Sequence, residues 1–289
     1  APRAARAVRG AHGIDRILTK SRGTVRRGSV GRLAAYRLVT DGVPIALVVV
    51  WYVVALDAPE YILPDPVKVL GRTFELLFAN PTLAQHTYIS LARVLVSVAL
   101  SLVIGSALVL VARYLSVTRG LVVERLLPTL NAFPSLGWAI IGLYWFGVSD
   151  IAVIFVEVAI LLPFAMINVW EGLKQLDEDT MEMAYSFTRA RGKVLRKIVL
   201  PLLYPYLLAA LRISYGVAWK VALVAELFGS SVGLGYLLSY SRQQFDSPML
   251  FAVILTLIVL VYAVDKLVFE RAEERVTRYR SGTASTSAI

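Results

Sequence analysis

The chain has 289 residues, 57% hydrophobic and only 17% charged, against the roughly 25% charged residues of a soluble domain. It has no cysteine, which excludes disulfides, zinc–cysteine sites and a thiol nucleophile, and its two histidines, His12 and His86, lie too far apart for a two-histidine metal motif on one helix. The net charge of +10 is concentrated in an N-terminal tail and beside apolar runs, so with a mean hydropathy of +0.67 it fits a membrane protein rather than a nucleic-acid binder.

Residues 1–37 carry ten basic residues against one acid, Asp15. No apolar region ending in small residues follows closely, so a retained cytosolic tail is expected, not a cleaved leader. A docking or regulatory segment is the sharper alternative. Six apolar segments follow, at about 38–57, 86–112, 121–148, 150–170, 201–227 and 249–269, each able to reach the ~20 residues of a spanning helix. The period-two alternation of a closed barrel is absent, so the expected fold class is all-α, a polytopic membrane protein with six transmembrane helices. With the N-terminus inside, the inner segments hold 22 basic residues and the outer ones 3. That asymmetry puts both termini in the cytosol.

The first outer loop opens with Ile62-Leu63-Pro64-Asp65-Pro66. Val67, Leu70, Phe74, Leu77 and Phe78 then share one helical face. Asp65 is a candidate N-cap with Pro66 in the first helical position, and Asn80-Pro81 closes this interfacial helix. Arg93, in the second segment, is expected to snorkel outward. Asn131-Ala-Phe-Pro134-Ser135-Leu-Gly137 interrupts the third segment, as a kink that either lines a path or packs on protein.

Charges at membrane depth are costly and usually functional. The candidates are Glu157 in the fourth segment and Arg212, Lys220 and Glu226 in the fifth. With Asn131 and Ser135 they form the expected translocation path, a basic lining for an anion. The competing reading is an internal ion pair of Glu157 with Arg212 or Lys220. In residues 228–248, Gly233 and Gly235 permit tight turns, and Tyr236 and Tyr240 stand one helical turn apart. Gating, docking of an external protein, or simple interfacial anchoring would each fit. The tail 281–289 is small and polar, with disorder expected.

The strongest signal lies between the fourth and fifth segments. Asp177, Glu178, Asp179 and Glu182 crowd the start of a helix, and Arg189, Arg191, Lys193, Arg196 and Lys197 follow it. Both clusters complement the helix dipole. Asp179 and Glu182 have the spacing of a capping box. Met181, Ala184, Tyr185 and Thr188 form an apolar-to-small face, while Glu182, Ser186 and Arg189 line another. Such a helix, flat on the membrane surface, offers one face to its bundle and one to a partner.

At these residues the chain resembles the permease subunits of bacterial ATP-binding-cassette importers. Their cytosolic signature is Glu-Ala-Ala, three residues, Gly, nine residues, Ile-x-Leu-Pro. Glu182, Ala184, Ile198, Leu200 and Pro201 match in register, with Met183 replacing the second residue of the signature and Thr188 the glycine. Ile62-Leu-Pro-Asp-Pro66, Trp145-Phe-Gly147, Ala225-Glu226 and Gly233-Leu-Gly-Tyr236 resemble the branch that imports nitrate, sulfonates, taurine, bicarbonate and related anions.

The resemblance implies a type I importer permease domain over residues 38–275, between the basic tail 1–37 and a flexible tail 276–289. It implies a coupling helix at about 178–190, contacting the ATPase through Glu182, Met183, Ala184, Tyr185, Thr188 and Arg189, with Ala184 allowing close approach. It implies a second permease subunit in a homodimer, two ATPase subunits, an extracytoplasmic substrate-binding protein, and residence in the bacterial cytoplasmic membrane. The chain has no phosphate loop, because its only Gly-Lys pair, Gly192-Lys193, is followed by Val194. It is therefore expected to hold no cofactor and no metal of its own, ATP and magnesium being bound by the partner. An intramembrane enzyme is disfavoured: no Gly-x-Ser-x-Gly, cysteine or deep histidine supplies a catalytic set. An ion channel or proton-coupled transporter is the alternative, but neither explains residues 177–201.

Overall fold

The computed structural model describes residues 42–176, 178–188 and 190–272, in two units, 1–66 and 67–289. The tails fall outside the described residues. In the first unit, helix α1 (Gly42–Asp57) is apolar around its circumference. Its Trp51 Nε1 donates to the Pro64 carbonyl at 3.1 Å, which folds the following loop back along it.

The second unit opens with α2 (Pro66–Phe74), starting on a proline whose missing N–H is no loss in a first turn. It buries Val69 and Thr73, and Leu76 in its widened extension to Ala79, while exposing Val67, Leu70, Phe74 and Phe78. Leu77 is partly buried, off the exposed face. Asn80 ends this segment and caps the next, accepting bonds from the N–H groups of Thr82 and Leu83. The remaining helices are α3 (Pro81–Tyr114), α4 (Val117–Ala132), α5 (Ser135–Phe146), α6 (Asp150–Lys174), α7 (Glu178–Phe187), α8 (Gly192–Gly229), α9 (Leu234–Gln243) and α10 (Ser247–Ala272). The fold is all-α.

Among the described residues four helices, α3, α6, α8 and α10, are long and apolar enough to cross a membrane. The expected third span is instead two helices, α4 and α5, bent by 89°. Phe133 and Pro134 are both extended, since a residue before proline is driven out of the helical region. Taken as one broken crossing, this pair brings the count to five. The described part of α1 is shorter than these, so six long spans are not reached.

Helix α6 is the centre of the bundle and packs mainly on α3 and α8. Small residues permit the close approach. A Cβ on Gly105 would stand 3.0 Å from Ala165 Cβ, and one on Gly172 would stand 2.7 Å from the Tyr206 ring. At the C-terminal end of α6, Val109, Ala112, Met166, Val169, Leu173, Val199 and Leu203 form a core that also takes in Ala184 of α7. The short helix is thus seated on the ends of the long ones.

Candidate functional site

Two sites stand at opposite ends of α6. The first gathers around Glu226, near the end of α8. Helix α3 carries His86, Ser90, Arg93 and Ser97 at spacings of four, three and four, so these polar groups form one stripe. Helix α6 contributes Asp150 from its first turn, capped by Ser149, whose hydroxyl accepts from Ala152 N–H at 3.2 Å. Between α8 and α9 runs the turn 230–233.

Glu226 is 0% exposed and fully engaged. Its carboxylate accepts from Ser90 Oγ at 2.7 Å, Arg93 Nη1 at 2.8 Å and Gly235 N–H at 2.8 Å. Arg93 also donates to the Val232 carbonyl at 2.8 Å, to Ser230 Oγ at 2.9 Å and, through both Nε and Nη2, to Asp150 Oδ1. Three successive N–H groups, of Gly233 in the turn and of Leu234 and Gly235 opening α9, point at side chains: Gly233 to His86 Nδ1 (3.0 Å), Leu234 to Ser90 Oγ (2.8 Å), Gly235 to Glu226. One of these donors serves the Glu226 carboxylate directly, and a second holds the Ser90 hydroxyl that also donates to it. The His86 ring stacks on Tyr236, and Tyr236 on Tyr240.

The geometry corrects several expectations. Arg93 does not snorkel outward; it is buried, because two acids and a carbonyl converge on it. Glu226 and Glu157 are both 0% exposed inside the packed bundle, so neither reaches the surface of the chain as described. Glu157 pairs with neither Arg212 nor Lys220. Arg212 forms a two-pronged bond with Asp265 of α10, at 2.7 and 2.9 Å. Lys220 is exposed, as are Asn131 and Ser135 at the α4–α5 break. Sequence reasoning missed Ser90, Asp150, His86 and Ser230. The periodic polar stripe on α3 was the available signal for two of them.

The second site is α7. It starts at Glu178, so Asp179 lies inside the first turn and not in the N-cap position of a capping box. Ala184 is 1% exposed and faces the bundle, with Met181 and Tyr185 packed beside it. It cannot be a point of close approach for another protein. The opposite face bares Glu182, Met183, Ser186 and Phe187, the last 85% exposed. Thr188, standing where the resemblance expects glycine, is partly buried, and its Oγ1 accepts from Ala190 N–H at 3.3 Å to brace the turn. Asp177 and Arg189 lie outside the described residues. Among those described, no three His, Asp or Glu residues gather as metal ligands.

The described bundle thus has a broken helix, a short helix seated on one end and a charged clamp at the other, an architecture that fits a polytopic membrane protein. Residues 105–271 match the family described as binding-protein-dependent transport system inner membrane component. The chain belongs to this family of ABC importer permeases. It is 30% identical to an ABC transporter permease protein of Methanocaldococcus jannaschii over 75% of this chain and 84% of that protein. It is 27% identical to the taurine transport system permease protein of Escherichia coli, over 76% of this chain and 82% of the relative. It is 30% identical to the formylaminopyrimidine transport permease protein of Halalkalibacterium halodurans, over 74% and 85%. The protein is a multi-pass component of the inner membrane and a transport subunit, not an enzyme; a separate ATPase subunit hydrolyses ATP.

Proposed function

We propose that two copies of this chain form the path of an importer for a small anion or zwitterion, and that α7 is the coupling helix through which two ATPase subunits drive it. The observation that carries the coupling role is the division of α7 into two faces. Ala184 is sunk in the core formed by α3, α6 and α8, while Met183 and Phe187 leave bare apolar surface on the other side. A cytosolic helix with such a face is made to be covered. The contact set is Glu182, Met183, Ser186 and Phe187, flanked by Tyr185, Thr188 and Arg189. The rigid seating of Ala184 would pass motion from the ATPase into the long helices.

Asn131 and Ser135 at the α4–α5 break, with Lys220 on α8, are the proposed lining. Non-helical backbone at membrane depth is tolerated where it lines a cavity or is buried in protein. Helix α5 begins there without a side-chain cap, leaving N–H groups available to a solute. Its exposed stripe of Leu136, Ile140 and Tyr144 is the proposed contact with the second copy. An extracytoplasmic binding protein would deliver the solute to the end that carries residues 230–240, with both termini in the cytosol.

The test is a complex reconstituted with its ATPase and binding protein. Phe187→Ala and Glu182→Ala should weaken ATPase co-purification or separate ATP hydrolysis from uptake, without changing which solute the binding protein holds. Normal association and normal uptake in both would remove α7 from the coupling role.

A further inference from the structure

One buried acid is left over. Glu157 is 0% exposed, and among the described residues no cation and no backbone group bonds its carboxylate. The Ser97 hydroxyl is the one side-chain donor beside it, and the charged groups whose fields reach it are Glu226 and Arg93. Leaving an acid so sparsely held in a packed interior is costly, so a native protein that retains it invites an explanation.

The register supplies one. Asp150 and Glu157 are seven residues apart on α6, two full turns, so they share a face with about 10 Å between them along the axis. Helices α3 and α6 both begin at the end that holds the Arg93 network. Helical side chains lean toward the N-terminus. Glu157 therefore leans up toward Arg93, with Ser97, one turn beyond Arg93 on α3, beside it. The arginine cannot shed its charge. Any movement of the turn 230–233 away from α3 removes Val232 and Ser230 from Arg93 and weakens its hold. A guanidinium released in a bilayer needs another acid.

We propose that Glu157 is the second seat of the Arg93 side chain. In the described state Arg93 is held by Asp150 and Glu226. When the outer turn opens, the guanidinium passes two turns inward along α6 to Glu157, with Ser97 completing its bonds. One cation shared between two seats makes a two-position element, the kind of bistable contact that packed helices use to switch. The inference rests on reading 230–233 as a turn that opens during transport.

The test uses the complete complex in liposomes. The chain has no cysteine, so Ser231→Cys on the exposed turn gives a single thiol to label. Glu157→Gln and Glu157→Asp are each added to it. Glu157→Gln keeps the size of the side chain and an acceptor for Ser97 and breaks no ion pair of the described state, so yield and thermal midpoint should match the parent. Uptake should fall about tenfold or more, and labelling of the thiol should stay at its resting rate while ATP turns over. Glu157→Asp keeps the charge and should recover much of the uptake. Normal uptake by Glu157→Gln, a fall in uptake that only tracks lost yield, or equal behaviour of the Asp and Gln variants would each overturn the proposal. Labelling that never responds to turnover in the parent sinks the opening-turn reading, and the relay with it. A normal response retained in Glu157→Gln sinks the relay alone.

Discussion

Gly233 and Glu226 share one small volume: a Cβ on Gly233 would lie inside the Glu226 carboxylate. Gly233 also has φ +129°, a conformation that side chains resist. Two positions later, a Cβ on Gly235 would stand 2.5 Å from the Leu223 carbonyl. The glycines are set by the acid that the turn encloses.

Gly233→Ala should therefore be destabilising by about 1–3 kcal/mol from backbone strain alone, with more from displacement of the carboxylate. A thermal midpoint measured in detergent checks this. Gly192→Ala, at a position with nothing within 4 Å, is the matched control and should be silent.

The Arg93–Glu226 pair is buried, whereas the Asp150 side chain is 70% exposed. Removing one partner of a buried pair leaves an uncompensated charge, so Arg93→Met or Glu226→Gln alone should lower stability by about 3–5 kcal/mol. The double variant should recover part of that. Asp150→Asn should cost about 1 kcal/mol or less. Folded yields and unfolding midpoints of the four variants decide it.

Ala184→Trp should lower folded yield, because the added bulk enters the core formed by α3, α6 and α8. Overpacking of this kind costs about 1–3 kcal/mol or more. Phe187→Ala should leave the midpoint unchanged and act only on association with the ATPase. Size-exclusion profiles of the permease, with and without the ATPase, separate the two effects.

Arg212 and Lys220 should part company. The Arg212–Asp265 bond ties α8 to α10 with each side chain about a third exposed. Arg212→Met should cost roughly 1 kcal/mol, between an exposed and a buried pair, and Glu157→Gln should not rescue it. Lys220 is exposed on its helix, so Lys220→Met should keep full yield yet reduce uptake of an anionic solute. Uptake by Lys220→Met at the parental rate would remove it from the path.

Topology is checked by single thiols. Ser231→Cys should react with an impermeant reagent from outside and Ser186→Cys only after the membrane is opened. Labelling of both from one side would contradict the basic-residue asymmetry.

The sequence by itself determined the solvent, the helical class and the position of the short polar helix between the fourth and fifth apolar runs. Those follow from run length, from absent period-two alternation, and from a polar stretch with fixed spacing between apolar runs. It also showed which face of α7 is small and apolar. What it could not determine was the partner of each buried charge. Arg93 is 133 residues from Glu226 and 57 from Asp150; pairing over such separations depends on how three helices pack. Hence Arg93 read as an outward-leaning side chain, and Arg212 as a partner for Glu157, until the packing placed Asp265 beside it. The same holds for Ala184: its smallness is written in the chain, but whether a small residue admits a partner or its own core depends on which way the helix is turned. The full break at Pro134 is intermediate, since proline dictates an extended Phe133, but the 89° angle is set by where α4 and α5 find surfaces to pack on. Local spacing carries local structure; the pairing of buried charge is a property of the packed bundle, where the low dielectric makes each partner decisive.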